Sequence, residues 1–189
     1  NLNRQNLYNI KDVGKKKVSV AKKKLLLINP YVKIKSNIKK ITKKNISLLK
    51  ESSIIIDTSD NWITMKIINE YCVKKNIPLL SASAIGFDIQ MILFENKKTN
   101  HLCLECIFSN KKEPNISRCD QVGILGTVSG IAGILGAQKV INFFMNFNHN
   151  WNFLTLMDCK LLTFSKIKLK NKNKCRLNIT KTNNQLKIL

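Results

Sequence analysis

The chain has 189 residues, which suits one domain able to bury about 70% of its unfolded surface, and its 44% hydrophobic content excludes a disordered polyelectrolyte. The uncharged, mostly apolar run over residues 122–137 carries five glycines and falls short of the roughly 20 apolar residues a membrane helix needs. A net charge of +22 would suit nucleic acid, but the lysines are spread over nearly every surface segment. Only three arginines occur (Arg4, Arg118 and Arg176), with no aromatic-and-basic stripe, so specific nucleic-acid binding is not expected.

The opening Asn1-Leu2-Asn3-Arg4-Gln5 is polar and reads as a loop. Asp12-Val13-Gly14 turns into a helix over 15–28, with Val18, Ala21, Leu25 and Ile28 on one side, and Asn29-Pro30 stops it. Tyr31, Val32 and Ile34 predict a short strand, and a lysine-rich helix or loop fills the stretch to residue 50. Ser53-Ile54-Ile55-Ile56 predicts a strand buried on both faces, as in a parallel sheet. It runs straight into Asp57-Thr58-Ser59-Asp60-Asn61. A helix over 62–75 follows, in which Trp62, Met65, Ile68, Tyr71 and Cys72 recur at helical spacing, with Asp60 or Asn61 as its cap.

Further strands are predicted over 79–84 and 90–94, so that helix and strand alternate as in βαβ units. Residues 96–120 are polar and read as an irregular loop holding Cys103, Cys106 and Cys119. A glycine-rich helix over 125–145 and two antiparallel strands over 153–158 and 161–168 come next. Residues 170–189 form a basic tail.

Three groups of residues carry chemistry. Ligands of an open parallel sheet sit at the carboxyl ends of its strands, where Asp57 and Asp60 fall. The plain reading is a helix cap; the functional one is a carboxylate that handles a metal-bound phosphate. Cys103-Leu104-Glu105-Cys106 has a spacing that lets two thiolates share one zinc. Cys175-Arg176-Leu177-Asn178 stands where a second such pair would, with asparagine last, so a fourth ligand is Cys159, a water or nothing, and inert thiols are the alternative. Cys119, next to Arg118 and just before the glycine-rich helix, is either a thiol of lowered pKa or an ordinary one. Arg4 and Lys15-Lys16-Lys17 meet phosphates or form a solvated face. His101 and His149 have no neighbouring nucleophile or paired carboxylate and are given no role. Six cysteines without a secretion-like leader read as thiols or metal ligands, and the expected compartment is cytoplasmic.

Taken in register, these pieces resemble the ThiF/MoeB/HesA adenylyltransferases, bacterial relatives of the ubiquitin-activating enzymes. The match runs from Asn1-Leu2-Asn3-Arg4-Gln5 through Asp12-Val13-Gly14-Lys15-x-Lys17, Asn29-Pro30 and Asp57-Thr58-Ser59-Asp60-Asn61. It continues through Cys103-x-x-Cys106 and Cys119-x-x-x-Gly123-Ile124-Leu125-Gly126 into Gly130-Ile131-x-Gly133. Within the group, Ser81-Ala82-Ser83-Ala84-Ile85-Gly86-Phe87 and Glu113-Pro114 look most like ThiF of thiamine biosynthesis, with the molybdopterin member close behind.

The resemblance implies a Rossmann-like α/β fold with a mainly parallel sheet and a C-terminal antiparallel extension. It implies ATP-dependent adenylylation of the C-terminal glycine of a small ubiquitin-like sulfur carrier protein ending in Gly-Gly. By match, Arg4 and Lys17 contact the ATP phosphates, Asp60 holds Mg²⁺ with ATP, and Asn1, Gln5 and Asn61 line the nucleotide site. Cys103, Cys106 and Cys175 become zinc ligands, and Cys119 the cysteine that links to the carrier during sulfur transfer. A sulfur donor (a cysteine desulfurase or rhodanese-like protein) and a homodimer through residues 126–136 are the implied partners. The family's glycine-rich phosphate loop and acidic ribose-binding strand end would lie before Asn1, so the chain is expected to be the C-terminal portion of a longer protein. The pattern also departs from the family at Lys66, Asp88-Ile89, Thr127 and Asn178. A non-catalytic remnant that binds a carrier protein is the alternative.

Overall fold

The computed structural model describes residues 1–96, 102–108, 123–147 and 151–170, together with Cys175 and Leu177. In chain order the elements are α1 (Lys17–Ile28), β1 (Ile55–Asp57), α2 (Trp62–Lys75), β2 (Leu79–Ile85) and β3 (Asp88–Phe94). They continue with a single helical turn α3 (Leu104–Ile107), α4 (Gly126–Phe144), β4 (Phe153–Asp158) and β5 (Thr163–Lys168).

The five strands form one sheet in the order β1-β2-β3-β4-β5. β1 and β2 run parallel with α2 as their crossover, so the stretch around the Asp-Asn pair is a βαβ unit. Here the expected mainly parallel sheet needs correction: the β2–β3, β3–β4 and β4–β5 pairings are all antiparallel. The alternation of helix and strand ends at Gly86. Ile85 pairs with Asp88 across a two-residue loop whose first member, Gly86, has φ +57°, a conformation open to glycine at little cost. That hairpin makes any crossover unnecessary.

Helices cover both faces. Leu79, Ile92 and Phe94 pack with Trp62, Ile68 and Cys72 of α2. On the other face Ile89 and Met91 pack with Val128 of α4, and Ile131 and Leu135 lie against them. Adjacent Leu79 and Leu80 are both buried because each points into a different layer, Leu80 lying 3.9 Å from where a Cβ on Gly136 would sit.

Three local expectations are corrected. Tyr31, Val32 and Ile34 form no strand; Tyr31 is 92% exposed and no described strand lies beside it to supply hydrogen-bond partners. α1 buries only Val20, not the side through Val18, Leu25 and Ile28, because the described elements pack little against it. Ile56 in β1 is 51% exposed while Ile55 and Asp57 are buried, since Ile55 packs into the α2 cluster whereas no described cluster reaches Ile56 on the opposite face. Within the expected irregular loop, residues 104–107 form the turn α3, fixed by Leu104 N–H donating to the buried Asn69 Oδ1 at 3.0 Å.

α4 begins where two loops meet. Gly86 N–H donates to Gly123 O at 3.1 Å and Gly86 bridges Ile124, which ties the entry of α4 to the sheet. A Cβ on Gly126 would then lie 2.7 Å from the Asn3 carbonyl oxygen, so only glycine lets the two backbones approach this closely without movement. Gly130, one turn further, has nothing within 4 Å of an added Cβ. Gly126→Val is therefore expected to destabilise the fold by about 1–3 kcal/mol through overpacking. Gly130→Ala is expected to stabilise it by about 0.5–1 kcal/mol by improving helix propensity. Urea unfolding of the two variants reads the difference, and effects of the same sign would show that the close approach is not tight.

Candidate functional site

Residues 1–5 are polar and hold their shape through local backbone bonds: Arg4 N–H and Gln5 N–H both donate to Asn1 O, at 3.2 and 3.0 Å. The first turn of α4 supports them from below, with Ser129 Oγ at 2.9 Å from Gly126 O and 3.3 Å from Arg4 O. Arg4 directs its guanidinium to Asn3 Oδ1 at 3.1 Å. Above this turn lies a cavity of about 150 Å³ lined by Asn1, Gln5, Tyr8, Asp12, Lys15 and Lys17, among others. It is smaller than the roughly 300 Å³ at which pockets for whole small molecules begin, so it has room for a phosphate-sized group.

Lys17 is the cation presented to this cavity. Its Nζ donates to Gln5 Oε1 at 3.0 Å and lies 6.0 Å from the centre of the Tyr8 ring, while the Tyr8 hydroxyl donates to Lys17 O at 3.3 Å. The neighbouring cations Lys15 and Lys24 are drawn to Asp12, which with Lys15 also lines the cavity. Asp12 accepts from Lys24 Nζ at 2.6 Å and lies 3.5 Å from Lys15 Nζ. It also accepts from Asn9 N–H at 3.1 Å, while Asn9 Oδ1 accepts from Lys11 N–H, a reciprocal capping box on the short turn Ile10–Asp12. Sequence singles out neither Tyr8 nor Lys24, and Asp12 only as part of the turn and motif before Lys17, not as a charge partner. The Asn9-x-x-Asp12 spacing is the signal that would have drawn attention to Asp12.

The second group sits at the carboxyl end of β1. Asp57 is buried and its Oδ1 accepts from Ser59 N–H at 2.9 Å. Asn61, rather than Asp60, caps α2, its Oδ1 accepting from Thr64 N–H at 2.9 Å. Asp60 is left exposed between them. Neither Asp60 nor Asn61 lines the Lys17 cavity. Lys66 lies 5.8 Å from the centre of the Trp62 ring, which shares an edge-to-face contact with Phe108.

The third group is a knot of thiols. Cys103 Sγ lies 3.7 Å from Cys106 Sγ and 3.5 Å from Cys175 Sγ, and all three sulfurs fall within 4.8 Å of one another. Ligands of one tetrahedral zinc at 2.3 Å stand roughly 3.7–3.8 Å apart, so these residues fit a shared ion. Cys103 is fully buried, and its hydrogen bonds with Cys106 and Cys175, together with burial, push its thiol pKa up. Cys159 is not a fourth ligand: it packs beside Met157 with Ile89, Met91 and Val128, in a different cluster. Asn178, Cys119, Arg118 and both histidines lie outside the described residues.

A helix-flanked mixed sheet, with a strand-end Asp-Asn turn, a C-x-x-C knot and an Arg/Lys loop, defines a ubiquitin-activating-enzyme-like domain. The chain belongs to the ThiF family, whose profile matches residues 1–177. It is 27% identical over 176 residues to the sulfur carrier protein ThiS adenylyltransferase of Escherichia coli, covering 93% of this chain and 69% of that protein. It is 30% identical over 175 residues to the adenylyltransferase and sulfurtransferase MOCS3 of Culex quinquefasciatus, covering 91% of this chain and 40% of that one. Among solved structures, E. coli MccB with MccA-N7isoASN superposes with a TM-score of 0.79 at 22% identity, a likeness of fold, over 94% of this chain and 55% of that chain. The chain thus spans about half the length of the MccB chain and about two thirds of the E. coli adenylyltransferase. No helix among the described residues is long and apolar enough to cross a membrane.

The Asp12–Lys24 pair gives a pH test. The hydrogen bond from Lys24, then that from Asn9 N–H, holds the Asp12 carboxyl below its ordinary value. Its contribution to stability is therefore full above the unfolded pKa of about 3.9 and is lost as pH falls through the lower folded value. In an NMR titration the Asp12 carboxyl carbon is expected to titrate below that value, and Lys24→Met to move it upward.

Proposed function

We propose that this protein uses ATP to adenylylate the C-terminal glycine carboxylate of a small ubiquitin-like sulfur carrier protein, for thiamine (thiazole) biosynthesis. A carboxylate oxygen of the carrier bonds to the α-phosphorus of ATP while the bond to the bridging oxygen breaks and pyrophosphate leaves. Negative charge grows on the phosphate oxygens in that step, and cations already in place stabilise it. The observation that carries the reading is the Lys17 ammonium, steered by Gln5 beside the Asn1–Arg4 turn in a phosphate-sized cavity. This arrangement occurs in a chain of the ThiF family.

In this reading Arg4 and Lys17 meet the phosphates, Asn1 and Gln5 shape the nucleotide side of the pocket, and Asp60 with Asn61 lies at the strand end that receives Mg²⁺ with ATP. Mg²⁺, when bound, neutralises phosphate charge. Cys119 is the cysteine that links covalently to the carrier during sulfur transfer, AMP leaving the activated glycine carbonyl, with a cysteine desulfurase or rhodanese-like protein as the sulfur donor. Cys103, Cys106 and Cys175 hold a structural zinc that pins α3 to the chain near residue 175. A homodimer across residues 126–136, with a cytoplasmic setting, completes the reading; it is supported by α4, which buries only Val128 and Gly136 and leaves Ile134 and Ile141 exposed.

Two measurements test it. Full-length protein is expected to catalyse ATP–pyrophosphate exchange only with a carrier ending in Gly-Gly. Asp60→Ala should abolish exchange, and Cys119→Ser should spare it while blocking thiocarboxylate formation. Exchange without a carrier, or at the wild-type rate in Asp60→Ala, would refute the assignment. Supplying a thiamine-pathway or a molybdopterin-pathway carrier in turn identifies which one is used. Separately, the protein is expected to bind one zinc per chain, and Co²⁺ substitution to give tetrahedral thiolate absorption that Cys103→Ser removes.

A further inference from the structure

The four-residue connection from β1 to α2, residues 58–61, is held at both ends by side chains. At its start Asp57 Oδ1 takes Ser59 N–H at 2.9 Å, folding the chain back as it leaves the strand. At its end Asn61 Oδ1 takes Thr64 N–H at 2.9 Å. Thr58 and Asp60 are the exposed members between the two anchors, and Asp60 is the one carboxylate that this connection turns outward. Asp57, at 4% exposure, is the buried one.

A buried carboxylate is costly to keep, and among the described residues none of the ion pairs includes Asp57. Its negative charge is felt within the core: after burial itself, the Asp57 carboxylate is the next cause pushing the Cys72 thiol up to about 12. Expense of this kind is sustained when the group holds something else in place. The bond that its Oδ1 accepts from Ser59 N–H sets the direction of the chain immediately before Asp60.

We propose that Asp57 is the positioning residue for Asp60: its carboxylate fixes the turn that delivers Asp60 to the ligand side of the strand end, and does not touch the ligand itself. The inference rests on the role given to Asp60 above. A group meant for a metal-bound phosphate must be held to within about 0.5 Å, which an untethered exposed turn does not achieve. Because the essential feature is an acceptor oxygen at Oδ1, Asp57→Asn keeps the turn and Asp57→Ala loses it.

The experiment uses full-length wild type, Asp57→Asn and Asp57→Ala, with equal thermal midpoints required or, failing that, assay temperatures chosen where all are folded. In carrier-dependent pyrophosphate exchange, the half-saturating Mg²⁺ concentration is expected to rise by about tenfold in Asp57→Ala and to stay within about twofold in Asp57→Asn. A merely structural role lowers the active fraction without moving that concentration. Hydrogen–deuterium exchange supplies a readout independent of activity: protection of the Ser59 amide should vanish in Asp57→Ala and persist in Asp57→Asn, with Thr64 protected in both. Loss of Mg²⁺ response in Asp57→Asn as large as in Asp57→Ala would overturn the proposal, because the charge would then act on the ligand directly. Unchanged Ser59 protection in Asp57→Ala would overturn it too. A wild-type protein without pyrophosphate exchange contradicts the proposed function instead, and the Ser59 amide then decides this inference alone.

Discussion

The contact between the first turn of α4 and the loop of residues 1–5 is the constraint on which the candidate site depends. That loop carries one large apolar residue, Leu2, and it is exposed, so hydrophobic burial does not hold the loop against the domain. Its position is borrowed. The entry to α4 is fixed to the β2–β3 hairpin through Gly86 and Gly123, and Gly126 then meets the Asn3 carbonyl with no side chain between. Arg4 and Lys17 are placed relative to the sheet through this chain of backbone contacts, and a shift in the α4 entry is a shift in both cations.

Electrostatics sorts the many lysines into few with a role. Asp12 engages Lys24 and lies close to Lys15, which spares Lys17 to lean on the neutral Gln5 and face the cavity. Surface pairs of this kind contribute little to stability; their value here is in deciding which ammonium stays available. The sheet plays the complementary part. With α2 over one face and α4 over the other, β1 and β2 stay parallel and their carboxyl ends open toward the same side, where Asp57 and Asp60 leave the strand.

Much of this was legible from residues alone, and for traceable reasons. The isoleucine run before Asp57, the helical spacing from Trp62 to Cys72, and the glycine-rich stretch of α4 each carry a strong local pattern, and each formed the expected element. Asn61 took the cap because its short amide reaches Thr64 N–H. Illegible parts were those decided by partners distant in sequence. Tyr31-Val32 has the β-branched and aromatic character of a strand, yet no described strand lies beside it. The antiparallel turn at Gly86 hid in a sequence whose helix–strand rhythm had suggested continued crossovers. The meeting of Cys103 with Cys175, 72 residues apart, was readable only as half a pattern, and geometry supplied the rest. The support that Ser129 and Gly126 give to Arg4 left no sequence signal beyond a small-residue helix.

The central claim is that Lys17, and not the general basic charge, makes the phosphate site. Calorimetric titration of full-length protein with Mg·ATP tests it most directly, comparing Lys17→Met with Lys23→Met, an exposed lysine on the same helix. Lys17→Met is expected to weaken binding by at least about tenfold, one charge-assisted contact's worth, while Lys23→Met leaves it within about twofold. Equal losses in the two variants, tracking net charge alone, would contradict the account.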